Sequence, residues 1–582
     1  MSKEKAKQRS ASRRKFIQGT AAVAAGATVF GARAQPMKPP APPRQFEREL
    51  VLVNGRIHTM DAENRVVSSV AIQQGRFIAL GTGRGLPVAM SRETRVIDLG
   101  GRTVVPGIID NHNHLVLMGN RPGYHTPLEN AYSIADVQQT YAARAKEIPN
   151  GAWITTIGGF HSNHIYGIPG NKGSGRFPTR AELDAAIPNN PAFMMISFAG
   201  PGATNSLGRS ILMQNGVAVG DDGSVAGGFP TSECTKALLY LRQTLLNPAQ
   251  RRRAAVDAMK YAASLGVTTH LDQGAFQAVN AATDGAAHED NFTMHFPFLE
   301  LYDEGTRIVR LRINFLHMET DDATPELIQR LKNAFPFIGD EWVKTGGIGE
   351  FITQGTGPRF LEAARRVGRA GWRAEVHSLG RRATPASNPP DYELEISAFE
   401  AVNAEFDGVV GKKRWVVAHV PGITQEWIDR LKAIGGGLSL TGWQYLAGSI
   451  PAVSVTPFAG PPFRWIVDSG INAGMSSDGM QIAPMNPWIH MYFATTGTNA
   501  RGVMINPGQT ISRQEVLALY TSANGWFLRE EDDLGSIEVG KLADLAVLNM
   551  DYFKVSDEEL RNIRSVLTVA GGNIVHDTGA VG

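Results

Sequence analysis

One pattern recurs through the middle of this chain: a short apolar run ends in polar residues and gives way to a helix-like stretch. Eight such runs are readable: Val104–Asp110, Val267–Asp272, Leu311–Leu316, Trp342–Gly347, Arg373–His377, Trp415–His419, Gly437–Leu440 and Ala473–Asp478. Strands that alternate with helices favour a parallel sheet, because successive parallel strands need a crossover and a helix is the usual one. Eight units predict the α/β class and a (β/α)8 TIM-like barrel over residues 104–531. One gap, about Gly119 to Arg251, is too long for a single helix. It carries its own apolar runs and Pro/Gly-rich pieces, and it reads as an insertion folding over the barrel mouth.

The chain ends follow another period. Leu50–Ile57, Ser69–Leu80 and Thr94–Leu99 read as short antiparallel strands with Asn-Gly and Gln-Gly turns, and Ala543–Leu548 and Ser565–Val575 look alike. We expect one small β-sandwich built from residues 49–103 and 532–582. Ahead of it, Ser12-Arg13-Arg14-Lys15-Phe16-Ile17, the Ala-rich stretch Gly19–Phe30 and Ala32-Arg33-Ala34 have the layout of a twin-arginine signal peptide over residues 1–34. A Pro-rich linker, 35–48, follows. The expected address is periplasmic or secreted, and the expected partner for export is the twin-arginine machinery. The apolar stretch is too short and too weakly apolar to span a membrane.

Composition narrows the chemistry. The formal net charge of +2 gives no electrostatic reason to bind nucleic acid. A single cysteine, Cys234, excludes an internal disulfide and a cysteine-based zinc site. Any metal must be held by histidine and carboxylate. Candidates stand at strand ends, where barrel active sites form. Asp110-Asn111-His112-Asn113-His114 closes the first strand, and residues two apart on a strand share a face, so His112 and His114 can address one metal. His377, His419 and Asp478 end later strands, and Lys344 lies in the fourth. Imidazoles with a carboxylate suit zinc and its borderline neighbours. Secondary candidates are His161 and His164 in the insertion, His270 and Asp272 on the second strand, and Asn486-Pro487-Trp488 after the eighth.

These stretches are similar to the amidohydrolase superfamily, in particular the amidohydrolase 3 group that includes N-substituted formamide deformylases. The matching segments are Val105–His114, Phe177–Asp184, Leu265–Thr269, Ser477-Asp478 and Leu534–Leu545, spread over nearly the whole chain after the leader. The resemblance implies a divalent metal, zinc, as one or two ions. His112 and His114 would hold the buried ion, His377 and His419 the second, and Asp478 would bind metal and carry the proton. Lys344 would correspond to the position carbamylated in two-metal members; a lysine ammonium has no lone pair, so only a carbamate could bridge. The family often carries Gly-His-Ala in the insertion after the Pro-Thr-Arg segment; the corresponding stretch here, Phe198–Ser206, has no histidine, so the family's substrate contact is not carried over.

The implied reaction is hydrolysis of an amide-type C–N bond in a small molecule by metal-activated water, with Asp478 as general base and then general acid. Esters, lactones or carbamates remain alternative substrates. An isomerase, decarboxylase or deaminase on the same site, or a periplasmic binding protein with a decayed site, are the competing readings.

Overall fold

The computed structural model describes residues 49–582 apart from 83–91, 167–174, 198, 229–230, 275–292, 356, 381–389 and 447–459. The leader and linker expected over residues 1–48 lie outside the described residues.

Eight parallel strands occupy the centre: β1 (Ile108–Asn113), β2 (Val267–Asp272), β3 (Arg310–Phe315), β4 (Val343–Ile348), β5 (Glu375–His377), β6 (Val416–His419), β7 (Gly437–Thr441) and β8 (Asn472–Ser476). They form two four-stranded parallel sheets, in the orders β4-β3-β2-β1 and β5-β6-β7-β8. A bridge between Ile348 and Ala374 joins the sheets on one side. On the other side the Asp478 N–H donates to the His112 carbonyl at 2.9 Å and the His114 N–H to the Gly479 carbonyl at 2.6 Å. Every residue of β1, β2, β6 and β7 is buried, as expected of parallel strands covered on both faces, and the polar residues of β1 and β2 are buried with the rest.

Helices cover the outer faces. α1 (Pro248–Ser264) starts where the Asn247 side chain accepts the Gln250 N–H and Pro248 supplies a first-turn residue with no N–H to satisfy. Its Ala254, Ala255, Ala258, Met259, Ala262 and Ala263 form one buried stripe at helical spacing. α2 (Pro358–Arg369) buries Phe360, Ala363, Ala364 and Val367 in the same way.

Most strand ends differ from the sequence expectation by one or two residues, and two of the differences bear on the site. The run Val104–Asp110 is two strands. Thr103–Pro106 pairs with Leu545–Leu548 in a separate sheet, and the chain passes into β1 at Gly107. A Cβ at Gly107 would lie 2.2 Å from the Thr268 hydroxyl, so only glycine fits the crossing. The fourth strand begins at Val343 rather than Trp342 and continues to Ile348, which places Lys344 at its opening rather than its end.

The chain ends combine as two sheets. One has the order Arg76–Gly81, Ser69–Gln73, Glu49–Val53, Arg95–Asp98; the other has six strands drawn from both ends, with Leu545–Leu548 beside Thr103–Pro106 at its middle. Leu50, Ile72, Val104, Leu545 and Leu567 share one apolar core.

Between β1 and α1 the inserted residues build their own five-stranded sheet, in which Ile154–Ile157 and Ala192–Met195 are neighbours in parallel register. The Pro178-Thr179-Arg180 motif is a helix start here. Thr179 and Glu182 cap each other's backbone at the head of Arg180–Ala186. The insertion meets the loops that follow β7 and β8: Asn163 Nδ2 donates to the Leu446 carbonyl at 2.9 Å, and the Glu129 carboxylate accepts the N–H groups of Met485 and Asn486. Among the described residues no helix is long and apolar enough to cross a membrane.

Candidate metal centre

Four imidazoles and two carboxylates converge at the carboxyl ends of the strands. His112 lies on β1 and His114 directly after it, His377 and His419 end β5 and β6, and Asp478 stands two residues past β8. The fourth strand contributes Glu350, two residues beyond Ile348. Its Oε2 lies 2.8 Å from His377 Nδ1, 3.1 Å from His419 Nε2 and 3.3 Å from His112 Nε2, while its Oε1 lies 3.4 Å from His114 Nε2. Asp478 Oδ1 is 3.1 Å from His114 Nε2 and 3.8 Å from His112 Nε2.

The far nitrogen of each ring on β1 is committed elsewhere, which fixes which atom faces the centre. His114 Nδ1 donates to the Gly274 carbonyl at 2.6 Å, and His112 Nδ1 donates to Glu375 Oε1 at 2.6 Å. Arg373 Nη2 and Asn314 Nδ2 in turn donate to the other oxygen of Glu375, at 2.8 and 3.3 Å. His419 Nδ1 is 3.0 Å from the Thr441 hydroxyl. The Nε2 atoms of His112, His114 and His419 therefore point inward as lone-pair donors, with His377 Nδ1 2.8 Å from His419 Nε2. Phe351 stacks on the His377 ring at 4.9 Å. His419 and Asp478 hold positive φ, 72° and 54°, a costly conformation for side-chain-bearing residues that is characteristic of functional sites.

The electrostatics calls for cations. Burial pushes the His112 ring toward the neutral form, but Glu350 and Glu375 outweigh it and raise its pKa to about 10. The same contest, with Asp478 and Glu350 as partners, raises His114 well above the usual imidazole value. Burial drives Glu350 upward, and the rings of His377, His112 and His114 reverse this to well below the carboxylate range. Burial and the neighbouring His377 lower His419 to about 4, so that ring is neutral.

The donor set fits a divalent ion. His112 Nε2 and Glu350 Oε1 are buried without a hydrogen-bond partner among the described residues, an arrangement that is costly unless another ligand is accepted. Two ligand groups have atoms close enough to share one ion, His112 with Glu350 and His419, and His112 with His114 and Asp478. All these residues are buried, and all are nitrogen or carboxylate donors of the kind zinc takes.

Lys344 is not among them. Its ammonium pairs with Glu530, and its side chain is 26% exposed. Six residues separate Lys344 from Glu350, and at ~3.3 Å per strand residue that is about 20 Å. Lys344 therefore sits at the opening of β4 and Glu350 just past its other end, and it is Glu350, not Lys344, that lies among the imidazoles. Glu350 is the first charged residue after the fourth run, a signal weakened by Gly346-Gly347-Ile348-Gly349, which hides the strand end. Glu375 carries a weaker signal: it stands two before His377.

The secondary candidates are supporting residues. His161 Nδ1 accepts the Asn163 N–H at 3.0 Å. His164 is buried against Tyr132, Phe160 and Tyr445, and burial lowers its pKa to about 3. His270 is buried, and Asp272 accepts the Val116 and Gly274 N–H groups and pairs with His295 at 3.2 Å. Asn486 caps Pro487–Thr496, and Trp488 is core, its indole donating to the Leu265 carbonyl.

Comparison with known proteins places the chain by sequence and by fold. The amidohydrolase family matches residues 95–576. An N-substituted formamide deformylase of Arthrobacter pascens is 23% identical over 90% of this chain and 98% of its own. A metal-dependent hydrolase structure from Pyrococcus furiosus superposes with a TM-score of 0.55 at 18% identity, over 87% of this chain and 100% of that one. A zinc complex of an atrazine chlorohydrolase from Arthrobacter aurescens superposes with a TM-score of 0.50 at 15% identity, over 91% and 95%.

Proposed function

This chain belongs to the amidohydrolase family and is a metal-dependent hydrolase, and from that premise we propose that it cleaves an amide-type C–N bond in a small molecule. We read the architecture as a (β/α)8 barrel with a composite β-sandwich from both chain ends and an inserted α/β layer beside the mouth; the eight parallel strands and the two sheets of the chain ends support this. One ion would be held by His112, His114 and Asp478 and a second by His377 and His419, with Glu350 between them in the place assigned to a carbamylated Lys344. Zinc is the metal this donor set favours, and when bound it would supply Lewis acidity and a more acidic water.

The observation that carries the proposal is Glu350. One buried carboxylate lies within 3.4 Å of a ring nitrogen from each of four histidines brought from three strands. Such a carboxylate can tie two halves of a metal site together.

The chain's own chemistry follows from position. Asp478 is buried, its Oδ1 faces the imidazoles, and its carboxylate is held in the ionised range despite burial, so it can take a proton from the attacking water. It then returns that proton to the departing amine nitrogen. Glu375 fixes the His112 ring from behind, and Gly274 fixes His114. The leader motif supports export through the twin-arginine route to the periplasm.

The test is a panel of N-acyl and N-formyl compounds assayed for amine release with metal analysis in parallel. The proposal expects bound zinc-like metal and amine release that chelation abolishes. Mass-neutral conversion without amine release, or a metal-free active protein, would overturn it. Retention of full metal content in Glu350→Gln would overturn the assignment of Glu350.

A further inference from the structure

At the opposite end of the strands from the histidine cluster lies a second recess, a cavity of about 200 Å3. Its cations are Arg312, Lys344, Arg373 and Arg529, and its only carboxylate is Glu530. Glu530 is already occupied: Arg312 reaches it with two donors at 2.7 and 3.1 Å, and Lys344 pairs with it as well. The cations are graded in depth. Arg529 is exposed, with its guanidinium over the Phe337 ring; Lys344 is half-buried; Arg312 and Arg373 are 2% and 0% exposed.

Arg373 is the residue that gives the recess a function. Its Nη2 donates to Glu375, but its Nε and Nη1 are buried with no hydrogen-bond partner among the described residues. These two donors lie on different edges of the guanidinium, with Nη2 between them, so each offers a single charge-assisted hydrogen bond to an oxyanion. Two such donors left over at the floor of a recess, beneath further cations at its rim, make a site in which a low-dielectric wall concentrates positive potential.

We propose that this cavity binds a phosphate-class oxyanion, held by Arg373 at the floor and by Lys344 and Arg529 nearer the mouth. The site is distinct from the metal centre but adjoins it through a single chain of contacts. Arg373 holds Glu375, and Glu375 holds the Nδ1 of His112. An anion taken by the Nε or Nη1 of Arg373 leaves the Nη2–Glu375 bond in place, so the anion and Glu375 share one guanidinium behind His112.

The experiment is a calorimetric titration of inorganic phosphate into the full chain, both metal-loaded and after chelation. The same titration is made on Lys344→Met, Arg529→Ala and Arg373→Met, with thermal melts to confirm folding. One saturable site is expected in both metal states, which separates it from phosphate bound to the ions themselves. Lys344→Met should weaken it by about tenfold or more, the loss of one charge-assisted hydrogen bond. Arg373→Met should abolish it; if that variant does not fold, the two rim variants decide. Absence of saturable binding, binding that vanishes on chelation, or binding indifferent to both rim substitutions would each overturn the proposal.

Discussion

The two ends of the strands carry charged clusters of opposite character. At the carboxyl ends, Glu350 and Asp478 face four imidazoles, and the carboxylates are strong enough to hold His112 and His114 protonated when no ion is present. At the amino ends, three arginines and a lysine line one recess whose only carboxylate, Glu530, is paired with Arg312 and Lys344. β4 touches both: Lys344 at its opening serves the cationic end, and Glu350 past its close serves the anionic one. A metal cation can enter only where anions and lone pairs converge, and an oxyanion only where guanidiniums do. The lesson is that position along one strand, rather than membership of the strand, decides which chemistry a residue joins.

The sharpest test of that contrast is Asp478→Asn. Amine release should fall by about 10²–10⁴-fold, the usual worth of a general acid–base group, while metal analysis still finds ion bound through the histidines. Next is Glu375→Gln, which touches neither ion nor substrate. It should weaken metal affinity by about 10–100-fold, as loss of a carboxylate behind a ligating histidine does, measured by competition with a chromogenic chelator.

A third prediction uses pH. In the chelated protein the folded His112 titrates near 10 against an ordinary value of 6.5. Its stabilising contribution is complete below pH 6.5 and is lost as the pH rises toward 10. Thermal melts from pH 7 to pH 9 should therefore show the chelated protein losing stability, with the metal-loaded protein less affected because the ion replaces the proton. Parallel curves would break the claim that anions dominate this end. The smallest effect is expected from Lys344→Met. Metal content and turnover should be unchanged within a few-fold, and stability should shift by about 1 kcal/mol or less, as for a part-exposed ion pair. Loss of metal in that variant would restore the lysine bridge and overturn the comparison.

Much of this was legible from residue order. His112, His114, His377, His419 and Asp478 were picked out because each ends an apolar run, and the structure brings all five within one cluster. Residue order fails where a run has no visible end. Hydrophobicity ends the fourth run at Gly347, which leaves Lys344 as its one conspicuous polar residue and Glu350 three positions outside it. Gly346, Ile348 and Gly349 give no polarity change by which to place a strand end. The first run was overextended for the opposite reason: Thr103–Pro106 and Ile108–Asn113 are both apolar, and nothing in hydrophobicity marks the change of sheet at Gly107.

The sequence by itself determined the class of chemistry and the family: strands alternating with helices, histidines at strand ends, and one cysteine too few for any thiolate site. These are local properties, readable from period and residue type. Only the tertiary structure decided that Glu350 rather than Lys344 stands among the imidazoles, that Glu375 backs His112, and that Arg373, Lys344 and Arg529 share a recess. Those facts depend on the register between strands far apart in the chain. A slip of one residue in a buried strand turns a side chain to the other face, and six residues carry it from one end of the strand to the other.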